Sequence, residues 1–271
     1  MKRRSVGIFI LTLCLVVFQL AAKDFKLETL RQRAESGDPV AQLELGNALR
    51  LGSGVPKNAA LGFEWIEKAA RQGNALAQRN LGSCYLYGIG IARDPAKAAK
   101  CYRDAALQGD TSAQCNLGML YLQGIGVGKD EKQAIAWFLK AAEQEDSVGQ
   151  RNLASCYSNG VGVGKDEARA LQWYRAAAAQ GDANSQYNIG LAYYQGMILD
   201  KDETKAFEWI LKAAQNGEPD AQYHLAWLYG NGVGVSVNKS EAMNWLRKAA
   251  MQGHPKAQRF LQEPIDWSRL L

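Results

Sequence analysis

Two glycine-rich stretches are the first candidates for chemistry. Gly124-Ile125-Gly126-Val127-Gly128-Lys129 and Gly160-Val161-Gly162-Val163-Gly164-Lys165 put glycines ahead of a lysine, as loops that cradle phosphate do. Such a loop also begins on glycine and follows its lysine with Ser or Thr to hold magnesium. Gln123 or Asn159 stands at the first place here and Asp130 or Asp166 at the last, so neither stretch is read as a nucleotide site. The two histidines, His224 and His254, have no Ser or Cys nucleophile with an Asp beside them, and nothing asks for a catalytic triad. Cys84, Cys101, Cys115 and Cys156 form no Cys-x-x-Cys pair, which argues against zinc. No catalytic residue, metal or cofactor is expected, and the chain is read as not an enzyme.

What positions these residues is a tandem array. Gln42, Gln78, Gln114, Gln150, Gln186, Gln222 and Gln258 recur every 36 residues, and Gly52 and Ala70 found series on the same beat. Periods of this length signal a solenoid of stacked units. In the unit spanning residues 110–145, Ala113, Leu117, Gly118, Leu120 and Tyr121 share one face of a helix A over 112–123. Asp110 suits its N-cap, as do Asp38, Asn74, Asp146 and Asp182 in sister units, and Pro39 and Pro219 suit a first helical position. Gly124 and Gly126 end the helix, and Asp130 caps a helix B whose face is Ala134, Trp137, Phe138, Ala141 and Ala142. Small residues such as Gly118 stand where the two helices cross. Trp65, Trp137, Trp173, Trp209 and Trp245 are packing residues and not a sugar-binding stripe. The glutamines sit in the first turn of helix A, where their amides reach unpaired backbone groups of their own helix or of the preceding unit's end.

The units are 38–73, 74–109, 110–145, 146–181, 182–217 and 218–253. Residues 23–37 read as an N-terminal capping helix, with Ala34 and Gly37 in register and Arg33 facing water. Residues 254–271 read as a C-terminal capping helix and tail, broken at Pro264. The expected fold is all-α, a right-handed α-solenoid of six 36-residue helical hairpins with terminal capping helices. Two short helices are marginal alone, so stacking must supply the missing burial.

Of the net charge of +5, Lys2, Arg3 and Arg4 supply three, and the remainder is spread too evenly to point to nucleic acid. The same three residues, the apolar run 6–20 and Ala21-Ala22 make the three parts of a secretory signal. The run is shorter than the roughly 20 residues of a membrane span. Residues 1–22 are read as a signal peptide cut after Ala22, with an uncleaved anchor as the alternative because Leu20 suits the cleavage site poorly. The working protein is then periplasmic or secreted, exported from a Gram-negative bacterium, without a membrane span. An oxidising compartment permits disulfides. Cys84 and Cys101 fall on the two helices of one unit, so a disulfide between them is one reading and buried free thiols the other.

Ala113, Leu117, Gly118, Tyr121, Gly124, Gly126, Val127, Asp130, Ala134, Trp137, Ala141 and Ala142 together resemble the Sel1-like repeat, a relative of the tetratricopeptide repeat. The likeness covers residues 38–253. It implies adaptor or receptor-binding roles in exported bacterial proteins that meet host or envelope partners. A cysteine-rich branch of that family, to which penicillin binding or β-lactamase activity has been attributed, places cysteines where this chain has alanine and glutamine. An envelope hydrolase or penicillin-binding/β-lactamase-like protein is therefore the alternative and not the expectation. Unit five departs from the pattern at Met197-Ile198-Leu199, which predicts a reshaped turn and an exposed apolar spot.

In related arrays the A helices line the concave surface, and ligand-reading residues are those the fold leaves variable. One variable position holds Leu43, Arg79, Cys115, Arg151, Tyr187, Tyr223 and Arg259; another, four residues on, holds Asn47, Ser83, Met119, Ser155, Leu191 and Trp227. With Tyr194, the last two units gather Tyr187, Tyr194, Tyr223 and Trp227, types enriched at interface hot spots. Arg79, Arg151, Tyr187, Tyr194, Tyr223, Trp227 and Arg259 are thus the candidate partner-binding residues, the arginines for a carboxylate. The competing reading packs the aromatics against a neighbouring helix or against the tail from Trp267. The expected function is a monomeric exported scaffold that binds a protein or peptide partner through its concave face. An inhibitor or immunity-type protein differs from it only in the partner.

Overall fold

The computed structural model describes residues 26–196, 198–262 and 267, and among these all regular structure is helical. The signal segment 1–22, Met197 of the reshaped turn, Pro264 and the tail apart from Trp267 lie outside the described residues. The chain divides into two compact units, Met1–Lys129 and Asp130–Leu271. The first holds α1 over residues 26–35, α2 (Pro39–Leu51), α3 (Ala59–Arg71), α4 (Ala75–Tyr87), α5 (Pro95–Leu107) and α6 (Thr111–Gln123). The second holds α7 (Glu131–Glu143), α8 (Ser147–Asn159), α9 (Glu167–Ala179), α10 (Ala183–Gln195), α11 (Glu203–Gln215), α12 (Pro219–Asn231), α13 (Lys239–Met251) and α14 (Pro255–Phe260). The even-numbered helices up to α12 are the A helices and the odd ones from α3 the B helices.

Helix ends follow the expected capping chemistry. Asp110 accepts from the Ala113 N–H at 2.7 Å and Asp130 from Gln133 at 3.0 Å, each satisfying a backbone donor that the helix cannot. Pro39 and Pro219 lie in the first turns of α2 and α12. Arg33, expected only to face water, also reaches Asp38 at 2.6 Å, so α1 is tied to the cap of α2. Ala34 of α1 is buried beside Leu45, Leu49 and Val55, with Leu27 and Leu30 packed on that cluster. A helix in the place of a preceding B helix thereby closes the first hairpin.

Within hairpins the backbones approach closely. A Cβ on Gly46 of α2 would fall 2.7 Å from Ile66 Cγ1 and 2.8 Å from the Gly62 carbonyl oxygen, so only glycine permits the crossing. The first unit's further core gathers Leu43, Phe63, Ile66, Leu81 and Cys84. The second unit's cores gather Leu171, Tyr174 and Ile189, then Ile210, Leu225, Leu228, Trp245 and Leu246.

The turn after each A helix packs on the preceding B helix of its own unit. Gly162 (φ 69°) lies so close to Glu131 that a Cβ would stand 2.8 Å from that residue's Cβ. Ile198 occupies the same position in the fifth repeat; the one described non-glycine with a positive φ is Glu145 (φ 61°), so Ile198 avoids the left-handed angle. The turn is reshaped there, and Ile198 is 39% exposed.

Candidate functional site

The glutamine series is a structural ladder. Each Nε2 donates to an alanine carbonyl at the end of the preceding helix, from Gln42 to Ala34 at 3.0 Å through Gln258 to Ala250 at 3.1 Å. The preceding unit's end is therefore the target, one of the two expected. A second rung joins it. The glutamine Oε1 accepts from the C-cap amide of its own repeat's B helix, as in Gln72 to Gln42 at 2.8 Å, Gln180 to Gln150 at 3.0 Å and Asn216 to Gln186 at 2.8 Å. This partner series, Gln72, Gln108, Gln180, Asn216 and Gln252, also keeps the repeat period, which was its available signal.

The variable position after each glutamine is less independent than its variability suggests. At Arg79, Arg151 and Tyr223 the side chain meets the N-cap residue of the next repeat. Arg79 pairs with Asp110 at 3.5 Å and Arg151 with Asp182 at 2.7 Å, so the carboxylates expected from a partner are supplied by the chain. Tyr223 is a correction. It is 7% exposed, belongs to the core and stacks on the His254 ring with centroids 4.4 Å apart. Its cause is α14, whose N-cap His254 accepts from the Ala257 N–H through Nδ1 at 3.1 Å and faces Asp220 through Nε2 at 3.0 Å. Arg259 on α14 is exposed.

Tyr187, Tyr194 and Trp227 do come together, around a residue not chosen from the sequence. His224 is 4% exposed, and its ring lies 5.9 Å from Tyr187, 5.6 Å from Tyr194 and 5.8 Å from Trp227, each edge to face. Nδ1 is 3.3 Å from the Tyr187 hydroxyl, and Nε2 has no partner among the described residues. Burial pushes the His224 pKa down to about 4 and the Tyr187 hydroxyl up. His224 is thus a neutral ring filling the place of Asn80, Asn116, Asn152 and Asn188. Tyr194 and Trp227 remain half-buried, stacked edge to face at 5.8 Å.

Cys84 and Cys101 are free thiols in the structure, the first buried and the second partly so. Cys84 is buried in the core, and Cys101 packs beside it with its pKa raised by burial to about 11. A thiol held protonated in this way resists disulfide exchange, which proceeds through thiolate. Trp137 and Trp245 are buried, while Trp65, Trp173 and Trp209 are half-buried. Lysines one turn on cover several ring faces, Lys68 over Trp65 at 3.9 Å and Lys248 over Trp245 at 3.8 Å.

Two cavities open beside the A helices. In the first unit one of 520 Å³ is lined by Leu86, Tyr87, Tyr102, Asn116 and Met119, with Tyr87 71% exposed. In the second unit one of 140 Å³ is lined by Ser158, Leu171, Tyr174, Asn188, Leu191 and Ile198. Leu86, Tyr102, Asn116 and Met119 correspond to Ser158, Tyr174, Asn188 and Leu191, so the two cavities share a place two repeats apart. Among the described residues no cluster of His, Cys, Asp or Glu could hold a metal ion, and no helix is long and apolar enough to cross a membrane.

A family model described as Sel1 repeat matches residues 39–74, 75–110, 111–146, 147–182, 183–218 and 219–254. No curated protein matches. Among solved structures, a protective antigen present in uropathogenic Escherichia coli strains and displaying an SLR fold is 37% identical, with a TM-score of 0.77, over 86% of this chain and 50% of its own. The chain thus spans half the length of that antigen. A Sel1 repeat protein from Oxalobacter formigenes is 36% identical over 80% of this chain and 89% of its own, with a TM-score of 0.77. An immunity protein from Pseudomonas aeruginosa, 18% identical over 80% of this chain and 83% of its own with a TM-score of 0.54, shares the fold alone.

Proposed function

The chain belongs to the Sel1 repeat family, with its all-helical solenoid fold, and from that premise we propose that it is an exported, non-enzymatic scaffold that binds a protein partner along its A helices. One observation carries this reading. The recurring glutamines are occupied as ladder rungs and Asp38, Asp110 and Asp182 as helix caps, while apolar side chains beside the A helices, among them Tyr87, Met119 and Ile198, stay exposed around cavities. A surface of this kind gains by burying those side chains against another protein. Of the residues expected to meet that partner, Tyr194, Trp227 and Arg259 keep the role; Arg79, Arg151, Tyr187 and Tyr223 serve the chain's own packing.

Export rests on the charged, apolar and small segments of residues 1–22, and the likeness to a protective antigen supports it. Intact mass of protein recovered from the periplasm or medium tests the cleavage after Ala22. Crosslinking in that material, with Tyr194→Ala and Trp227→Ala as comparisons, tests the scaffold. A partner lost from both variants at unchanged folding is the expected result, and no crosslinked partner for the wild type overturns it. Covalent labelling of the folded chain by a fluorescent β-lactam would overturn the non-enzymatic assignment.

A further inference from the structure

The cavities beside the A helices have a third counterpart, where the chain itself supplies the occupant. Trp267 lies across the end of α12. A Cβ on Gly230 would come within 2.6 Å of its Cε3, its ring centroid is 6.1 Å from that of Phe260, and its carbonyl accepts from Asn231 Nδ2 at 2.9 Å. Two repeats earlier, Gly230 corresponds to Ser158, Asn231 to Asn159, Leu246 to Tyr174 and Phe260 to Asn188. Ser158, Tyr174 and Asn188 line the 140 Å³ cavity, and Asn159 follows Ser158 at the end of α8. The two asparagines share a tether, Asn231 Nδ2 to the Trp227 carbonyl at 3.0 Å and Asn159 Nδ2 to the Ser155 carbonyl at 2.9 Å; the second Asn159 N–H rests on the Ser155 hydroxyl at 3.3 Å, the contact a docked carbonyl would replace. A small residue that admits a ring, then an amide that holds a main-chain carbonyl, thus occurs twice in this unit.

We propose that the groove at Ser158 docks a phenylalanine side chain carried on an extended segment of the partner, with the ring in the cavity and the segment's carbonyl hydrogen-bonded to Asn159. The proposal rests on the scaffold function above and names the partner's chemistry. Size favours the phenyl ring, because a volume of 140 Å³ suits it better than the larger indole. Ala170, Leu171, Leu191 and Ile198 form the apolar side of a groove whose other side carries Asn188 and Gln195, and Ile198, standing where sister turns carry glycine, gives this groove a side that those turns cannot. At the rim the Glu167 carboxylate accepts from the Ser158 hydroxyl at 3.4 Å and pairs with Lys165 at 2.7 Å, so its charge is matched within the chain.

The test uses the full chain, nitrogen-15 labelled, titrated with N-acetyl-phenylalanine methylamide and with its alanine analogue. The expected result is saturable movement of the Ser158, Leu191 and Ile198 amide resonances with the phenylalanine compound alone. Ser158→Tyr should abolish it; tyrosine is native at this position in Tyr194, so the fold accepts the substitution. Asn159→Ala should weaken binding about fivefold, the effect of one hydrogen bond. Equal response to the alanine compound, movement that survives in Ser158→Tyr, or stationary resonances at these three residues overturns the proposal. A crosslinked partner retained by Ser158→Tyr likewise overturns the groove while leaving the scaffold function standing.

Discussion

Single residues divide into those the array uses everywhere and those it uses once. Gln186 is fully buried and holds both rungs, to Ala178 at 3.2 Å and from Asn216 at 2.8 Å. Gln186→Ala should cost about 2 to 4 kcal/mol in denaturant unfolding, since it strands a buried carbonyl and an amide. Gln258, exposed at the last rung, should cost under about 1 kcal/mol. Equal costs at the two sites would refute a ladder whose value comes from burial. His224 has the opposite character, being used once. The unfolded chain takes up a proton below about pH 6.5 that the folded chain refuses until about pH 4, so stability falls as pH drops through that window. The groups facing the ring are the Tyr187 and Tyr194 phenols, with Lys201 5.9 Å from the Tyr194 ring centre. Relative to His224→Asn, the wild type should lose up to about 3 kcal/mol between pH 6.5 and 4, and parallel stability profiles would count against it. The histidine's burial was not legible in the sequence, because it depends on aromatics from two repeats meeting around one asparagine position.

At the scale of elements, most of the architecture was legible. Caps at Asp38, Asn74, Asp110, Asp146 and Asp182 and glycine stops such as Gly124 are local chemistry, settled by each residue's own backbone. The series has one exception at the end of α7, where Glu145 takes φ 61° in the position that Gly109 and Gly181 fill elsewhere. Its contact with Gln180 runs through its backbone carbonyl at 2.8 Å, so the side chain is dispensable there. Glu145→Gly should therefore stabilise the protein by about 1 kcal/mol, read as a higher unfolding midpoint. An unchanged or lower midpoint would mean that the exposed carboxylate contributes more than the strain. The candidate site was harder to read. Arg79 and Arg151 looked like recognition residues because their position varies, yet each pairs with the N-cap aspartate of the next repeat, Asp110 or Asp182.

For the whole molecule, a repeat array distributes stability between neighbours and leaves its ends to be closed by other means. The C-terminal closure is α14 with Trp267, which cover Tyr223 and Gly230. Removing residues 254–271 should strip amide-exchange protection from α12 and α13 while leaving α2 to α5 protected. Protection lost evenly along the chain would refute the nearest-neighbour picture. The sequence by itself determined the all-helical class, the six hairpins, the caps and the structural service of the glutamines, because a 36-residue period repeats the same local rules at every turn. Only the tertiary structure decided that Tyr223 is core and that grooves at Leu86 and Ser158 stand open where Trp267 fills the third. The reason is physical: exposure is a property of what lies across from a residue, and that neighbour comes from another repeat or from the chain's end.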